Sequence, residues 1–100
     1  METNLVNTIR DFLNRIQDDN RIGPVHISLF MAIVQQWANG NFENPVYVRC
    51  RDVMLLAKIS ASATYYRCIN DLTRFGYIQY KPSHNCLAGS QVYLQQETEV

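Results

Sequence analysis

Tyr65, Cys68, Ile69 and Leu72 recur at i, i+3, i+4 and i+7, and Gly76 follows four residues after the last of them. That spacing fits a helix over residues 62–75 with one narrow apolar stripe, and a glycine just past the last turn is where such a helix stops. The period then switches. Tyr77-Ile78-Gln79-Tyr80-Lys81 and Gln91-Val92-Tyr93-Leu94 alternate as strands do. Ahead of the helix, residues 51–59 form a shorter one with Val53, Leu56 and Ala57 inward. Ser60-Ala61-Ser62 then offers two candidate N-caps.

The rest of the chain extends this frame. Leu5, Ile9, Phe12, Leu13 and Ile16 give residues 4–18 an amphipathic helical pattern, ended by Asp18-Asp19-Asn20. Gly23-Pro24 opens a helix over 25–38 whose Val25, Ile27, Leu29, Phe30, Ile33, Val34 and Trp37 cover most of its circumference, the mark of a central buried helix. Asn39-Gly40-Asn41 stops it, and Pro45-Val46-Tyr47-Val48 reads as a brief strand. Residues 82–90 form a hairpin loop, and the polar residues 96–100 are expected to be flexible. The order is helix, helix, strand, helix, helix, strand, strand: a mostly α chain with a small β element, read as one domain over 1–100. One hundred residues with 47% apolar content suffice for a single core, and a chain of this size hides about 60–65% of its unfolded surface.

Composition excludes several classes. Four glycines and three prolines argue against disorder or a loop-rich scaffold. Three cysteines, an odd number without paired spacing, suit a reducing, cytoplasmic setting better than a disulfide framework. No apolar run approaches the ~18 residues of a membrane span, and the N-terminus lacks the basic and apolar regions of a secretory signal. Nine Lys+Arg cancel nine Asp+Glu overall, yet residues 49–81 carry Arg49, Arg51, Lys58, Arg67, Arg74 and Lys81 against only Asp52 and Asp71. Screening confines a charge to about 8–10 Å, so a locally basic stretch acts even in a neutral molecule.

Two short helices separated by about three residues and followed by a hairpin make a winged helix-turn-helix, with the helix-turn-helix over about 51–75 and the wing over about 77–95. The stretch from Leu56-Ala57-Lys58-Ile59-Ser60 through Tyr65-Tyr66-Arg67-Cys68-Ile69-Asn70-Asp71-Leu72 to Phe75-Gly76-Tyr77-Ile78 resembles the winged-helix core of bacterial transcription regulators. More narrowly, it is similar to small winged-helix proteins of mobile elements and to winged-helix domains of replication initiators. The resemblance implies sequence-specific binding of double-stranded DNA, with helix 62–75 in the major groove. One departure stands out: where many such helices begin with a basic residue or glutamine, this chain has Ala61, Ser62 and Ala63.

If the stripe from Tyr65 to Leu72 faces inward, the opposite face presents Ser62, Tyr66, Arg67, Asn70 and Arg74. Arg67 and Asn70 are candidates for base contact, since Arg pairs with guanine and Asn with adenine in the major groove. The competing roles are a phosphate contact or an ion pair with Asp71 for Arg67, and plain solvation for Asn70. Ser62 and Thr64 would either hold phosphate or cap the helix. Tyr66 would pack along the sugar-phosphate, touch a thymine methyl, or rest on the wing. Lys58 would hold the backbone, and Arg49 and Arg51 would do so or stay solvated. Lys81, His84 and Asn85, near the wing tip, would reach an adjacent minor groove or phosphate, or be polar for solubility alone.

No catalytic or metal motif appears, and no cofactor is expected. His26 reads as a satisfied core or boundary histidine, and His84-Asn85-Cys86 lacks a second ligand pair for zinc. The chain is therefore expected to bind rather than catalyse. Val6 widens the stripe of helix 4–18, which would serve a homodimer or simply close the core. The alternative function is a winged helix kept as a protein–protein module, which neutral net charge and five tyrosines between 65 and 93 would suit.

Overall fold

The computed structural model describes residues 2–83 and 89–94. Seven elements follow in the expected order: α1 (Glu2–Ile16), α2 (Pro24–Asn39), β1 (Val46–Val48), α3 (Cys50–Ala57), α4 (Ser62–Arg74), β2 (Ile78–Lys81) and β3 (Ser90–Leu94). The result is a small α+β domain with a three-stranded antiparallel sheet in the order β1-β3-β2. β3 is central: Val92 lies opposite Val46 on one side and Tyr80 on the other. At its far end, the Asn44 side chain accepts from the Leu94 N–H and donates to the Leu94 carbonyl, both at 3.1 Å, completing the pairing where β1 has run out. Among the described residues, no helix is long and apolar enough to cross a membrane.

α2 is the centre of the core, as its wide apolar surface predicts. Leu29, Phe30, Ile33, Val34 and Trp37 are buried, and around them pack Val53 and Ala57 of α3, the α4 stripe, and Val46, Val48, Ile78, Val92 and Leu94 of the sheet. α1 joins this cluster through Phe12, with Leu5, Ile9 and Ile16 packed against it. Phe12 stacks on Phe30 with centroids 3.8 Å apart and meets Tyr77 edge-on at 5.4 Å. Leu13 and Val6, counted with the apolar stripe from sequence, are exposed.

Three local expectations need correction. α1 ends at Ile16 rather than 18, because Asp19 is drawn into a separate cluster: its carboxylate accepts from Arg21 at 2.7 and 2.9 Å and from the Tyr77 hydroxyl at 2.7 Å. These donors hold the Asp19 carboxyl well below the usual carboxylate range, Arg21 contributing most. A depressed folded pKa contributes stability above the unfolded pKa near 3.9, lost as pH falls through the folded value. Asp19→Asn is therefore expected to be less stable at neutral pH and to show a flatter acid limb below about pH 4, read from the fluorescence of buried Trp37.

Leu56, expected inward, is exposed. The buried stripe of α3 runs through Val53 and Ala57, with Cys50 and Met54 beside it, and Leu56 sits about 110° around the helix from its centre. Finally, neither Ser60 nor Ser62 is the N-cap of α4. Ala61 occupies that place in an extended conformation and makes no side-chain cap bond.

Two turns of the same design bracket α4. Before it, Ile59 N–H donates to the Met54 carbonyl at 2.9 Å across Lys58, and after it, Tyr77 N–H donates to the Leu72 carbonyl at 2.8 Å across Gly76. Both bridging residues are left-handed, with φ of +63° and +86°. A Schellman turn of this kind favours glycine, and Gly76 supplies it. Lys58 instead carries a side chain through a conformation that disfavours one. Lys58→Gly is expected to raise stability by about 0.5–1 kcal/mol in denaturant unfolding.

Candidate nucleic-acid interface

α4 divides into the two faces that its periodicity predicts. Tyr65, Cys68, Ile69 and Leu72 are buried, while Ser62, Tyr66, Arg67, Asn70 and Arg74 are exposed. At 100° per residue, Tyr66, Asn70, Arg74 and Arg67 fall within an arc of about 100°, so one flat surface can meet all four.

The angle at which α4 presents this face is set from behind by α2. Gly23 N–H donates to His26 Nδ1 at 3.0 Å, which places the ring proton on Nε2. That proton is donated to Asp71 Oδ2 at 2.9 Å. His26 thus starts α2 and ties it to α4 with one ring, which bears out its reading as a satisfied boundary residue. The other Asp71 oxygen accepts from Arg74 at 3.1 Å. Of the roles weighed for Arg67, the ion pair with Asp71 is not made. Asp71 pairs with Arg74 and His26, and among the described residues no ion pair joins it to Arg67. Acid ahead of base is the orientation that a helix favours, and Arg67 stands on the wrong side of Asp71 for it.

The other expected residues separate. Thr64 is half-buried and faces the α3–α4 turn, where it borders a shallow depression with Lys58 and Val25 rather than joining the Arg67 face. Lys58 is exposed in that turn. Lys81 sits at the end of β2 with its ammonium 5.4 Å from the Tyr93 ring, on the sheet surface facing away from the core. His84 lies outside the described residues. Arg74 is shared between Asp71 and the Phe75 ring, 5.1 Å from its guanidinium.

Tyr66 is 47% exposed and is propped edge-on against Tyr65 at 5.0 Å. The neighbouring Cys50 thiol pushes the pKa of the Tyr66 hydroxyl up, and that thiol donates to Met54 Sδ at 3.3 Å. The ring stands over the start of α3. There Tyr66 walls a cavity of about 540 Å³ that also includes Arg49 and Arg51. From sequence those two arginines read as backbone contacts or solvated side chains, outside the candidate set. The signal was present in Arg49-Cys50-Arg51, a cation pair at the junction of strand and helix.

The chain matches no protein-family model, no curated protein and no solved structure. The functional reading therefore rests on the surface just described.

Proposed function

We propose that this chain is a winged helix-turn-helix protein that binds double-stranded DNA sequence-specifically, laying α4 in the major groove, as a cytoplasmic transcriptional regulator or mobile-element accessory factor. The observation that carries this reading is the exposure of Tyr66, Arg67, Asn70 and Arg74 on one face of a helix whose other face is locked into the core. An α-helix of this kind fits the major groove, and its arginine and asparagine match guanine and adenine edges. Lys58 in the turn, with Ser62 at the start of α4, adds backbone contacts that position the helix without reading sequence. Fluorescence anisotropy of a labelled duplex across 50–200 mM salt tests the proposal. Engagement of roughly 3–5 phosphates per subunit gives a log–log slope near −3 to −5. Absence of binding at about 50 mM salt contradicts it.

A homodimer through α1 belongs to the same proposal. Val6 and Leu13 are both exposed and lie symmetrically about Ile9 and Arg10, so an antiparallel second copy sets Val6 of one against Leu13 of the other. Sedimentation at micromolar concentration should give twice the chain mass; a monomer there contradicts the dimer. The second reading, a protein–protein module, draws on α3. Leu55 is 69% exposed and Leu56 is also exposed, an apolar pair that duplex DNA would not need.

A further inference from the structure

We infer that the cavity between the start of α3, Tyr66 and the base of the β2–β3 hairpin is a phosphate site, and that a backbone phosphodiester of the duplex fills it. The inference rests on the DNA-binding reading and adds to it a site that adjoins the α4 face at Tyr66. The cavity has a volume of about 540 Å³, ample for a phosphate with its flanking sugars, and its walls include Arg49, Arg51, Asp52, Tyr66, Ser83 and Ser90. Among the described wall residues two guanidiniums stand against one carboxylate, and arginine forks match phosphate oxygens geometrically.

Ser90 supplies the neutral donor. Its Oγ accepts from the Tyr80 hydroxyl and from the Ser83 N–H, each at 3.3 Å. With its acceptor capacity used inside the protein, the Ser90 hydroxyl keeps a proton to give to an acceptor-only ligand such as a phosphate oxygen. Tyr66 lines the same space from α4, where its ring acts as a wall along the sugar. The back of the cavity is held closed by Gly89. Its φ is +82°, and a Cβ there would lie 3.0 Å from the Val48 carbonyl oxygen, so the returning wing strand presses directly on the end of β1. The pocket is thus assembled from four separate stretches of chain around one space.

Two titrations on the whole protein test this. In the first, inorganic phosphate is added to ¹⁵N-labelled protein, and the amides of Cys50, Arg51 and Asp52 should shift in the wild type but not in Arg49→Ala/Arg51→Ala. In the second, a labelled duplex is titrated over a salt series. Arg51→Ala should weaken binding roughly tenfold and flatten the slope by about one, and the double variant by about two. Ser90→Ala should weaken binding several-fold with the slope unchanged, as loss of a neutral donor requires. Phosphate shifts accompanied by an unaltered duplex slope in the arginine variants would overturn the phosphodiester assignment and leave a small-anion site. Absence of both effects would overturn the site. If the wild type binds no duplex while the phosphate shifts persist, the DNA reading fails and the site stands with free phosphate as its ligand.

Discussion

Arg67→Ala is expected to weaken duplex binding by about 1–3 kcal/mol, roughly 5- to 150-fold, with no change in the midpoint of unfolding. The stability half of this expectation follows from its surroundings. Arg67 is exposed, and Asp71, the nearest acid on its helix, is taken by His26 and Arg74. Surface substitutions away from such networks usually stay within about 0.5 kcal/mol. The form of the binding loss carries further information. A loss confined to one base position makes Arg67 a reader of guanine, whereas an equal loss on every sequence makes it a phosphate contact. Lys58→Gly offers the matching control. It should stabilise the fold while weakening binding, and that pairing of opposite signs separates a functional lysine from a structural one.

Phe12→Ala should have the largest effect on stability, a loss of about 3–5 kcal/mol. Phe12 is 2% exposed, and its ring is the one α1 side chain sandwiched between Phe30 and Tyr77. Removing it leaves a cavity that neighbouring rings cannot collapse to fill, since Phe30 and Tyr77 are held by α2 and by Asp19 respectively. In a domain of about 100 residues each kcal/mol moves the midpoint by about 4–8 °C, so the unfolding temperature should drop by well over 10 °C. Trp37, the sole tryptophan, is fully buried in the core and reports the transition. A loss under about 1 kcal/mol would mean that α1 unfolds independently of the core, and the Arg15 contacts to the Gly76 carbonyl and Tyr77 ring would then be incidental.

The order of elements was legible because each is written in a distinct period, and α4 most plainly because its stripe is narrow and ends at Gly76. The division of α4 into a buried and an exposed face followed from the same spacing. What could not be read depended on partners distant in the chain. His26 meets Asp71 across 45 residues, and nothing local announces that it will outcompete Arg67. Leu56 was misplaced because an eight-residue helix carries too few turns to fix the centre of its stripe; the left-handed Lys58 then ends the helix before the pattern resolves. The serines around Ala61 have capping chemistry, yet the extended residue at the junction is Ala61 itself, set by the tight turn from Ile59. The cavity beside Tyr66 joins residues from 48 to 90, so its two exposed arginines read as separate solvated side chains until the sheet brings the hairpin beside them.

The central claim is that the outward face of α4 is the surface that meets DNA. Amide and side-chain shift mapping during titration with a duplex selected from a random pool tests it most directly. The account predicts that the strongest perturbations fall on Ser62, Tyr66, Arg67, Asn70 and Arg74, with a second group at residues 49–51. Perturbations centred instead on Leu55 and Leu56, with the α4 face unchanged, would contradict it.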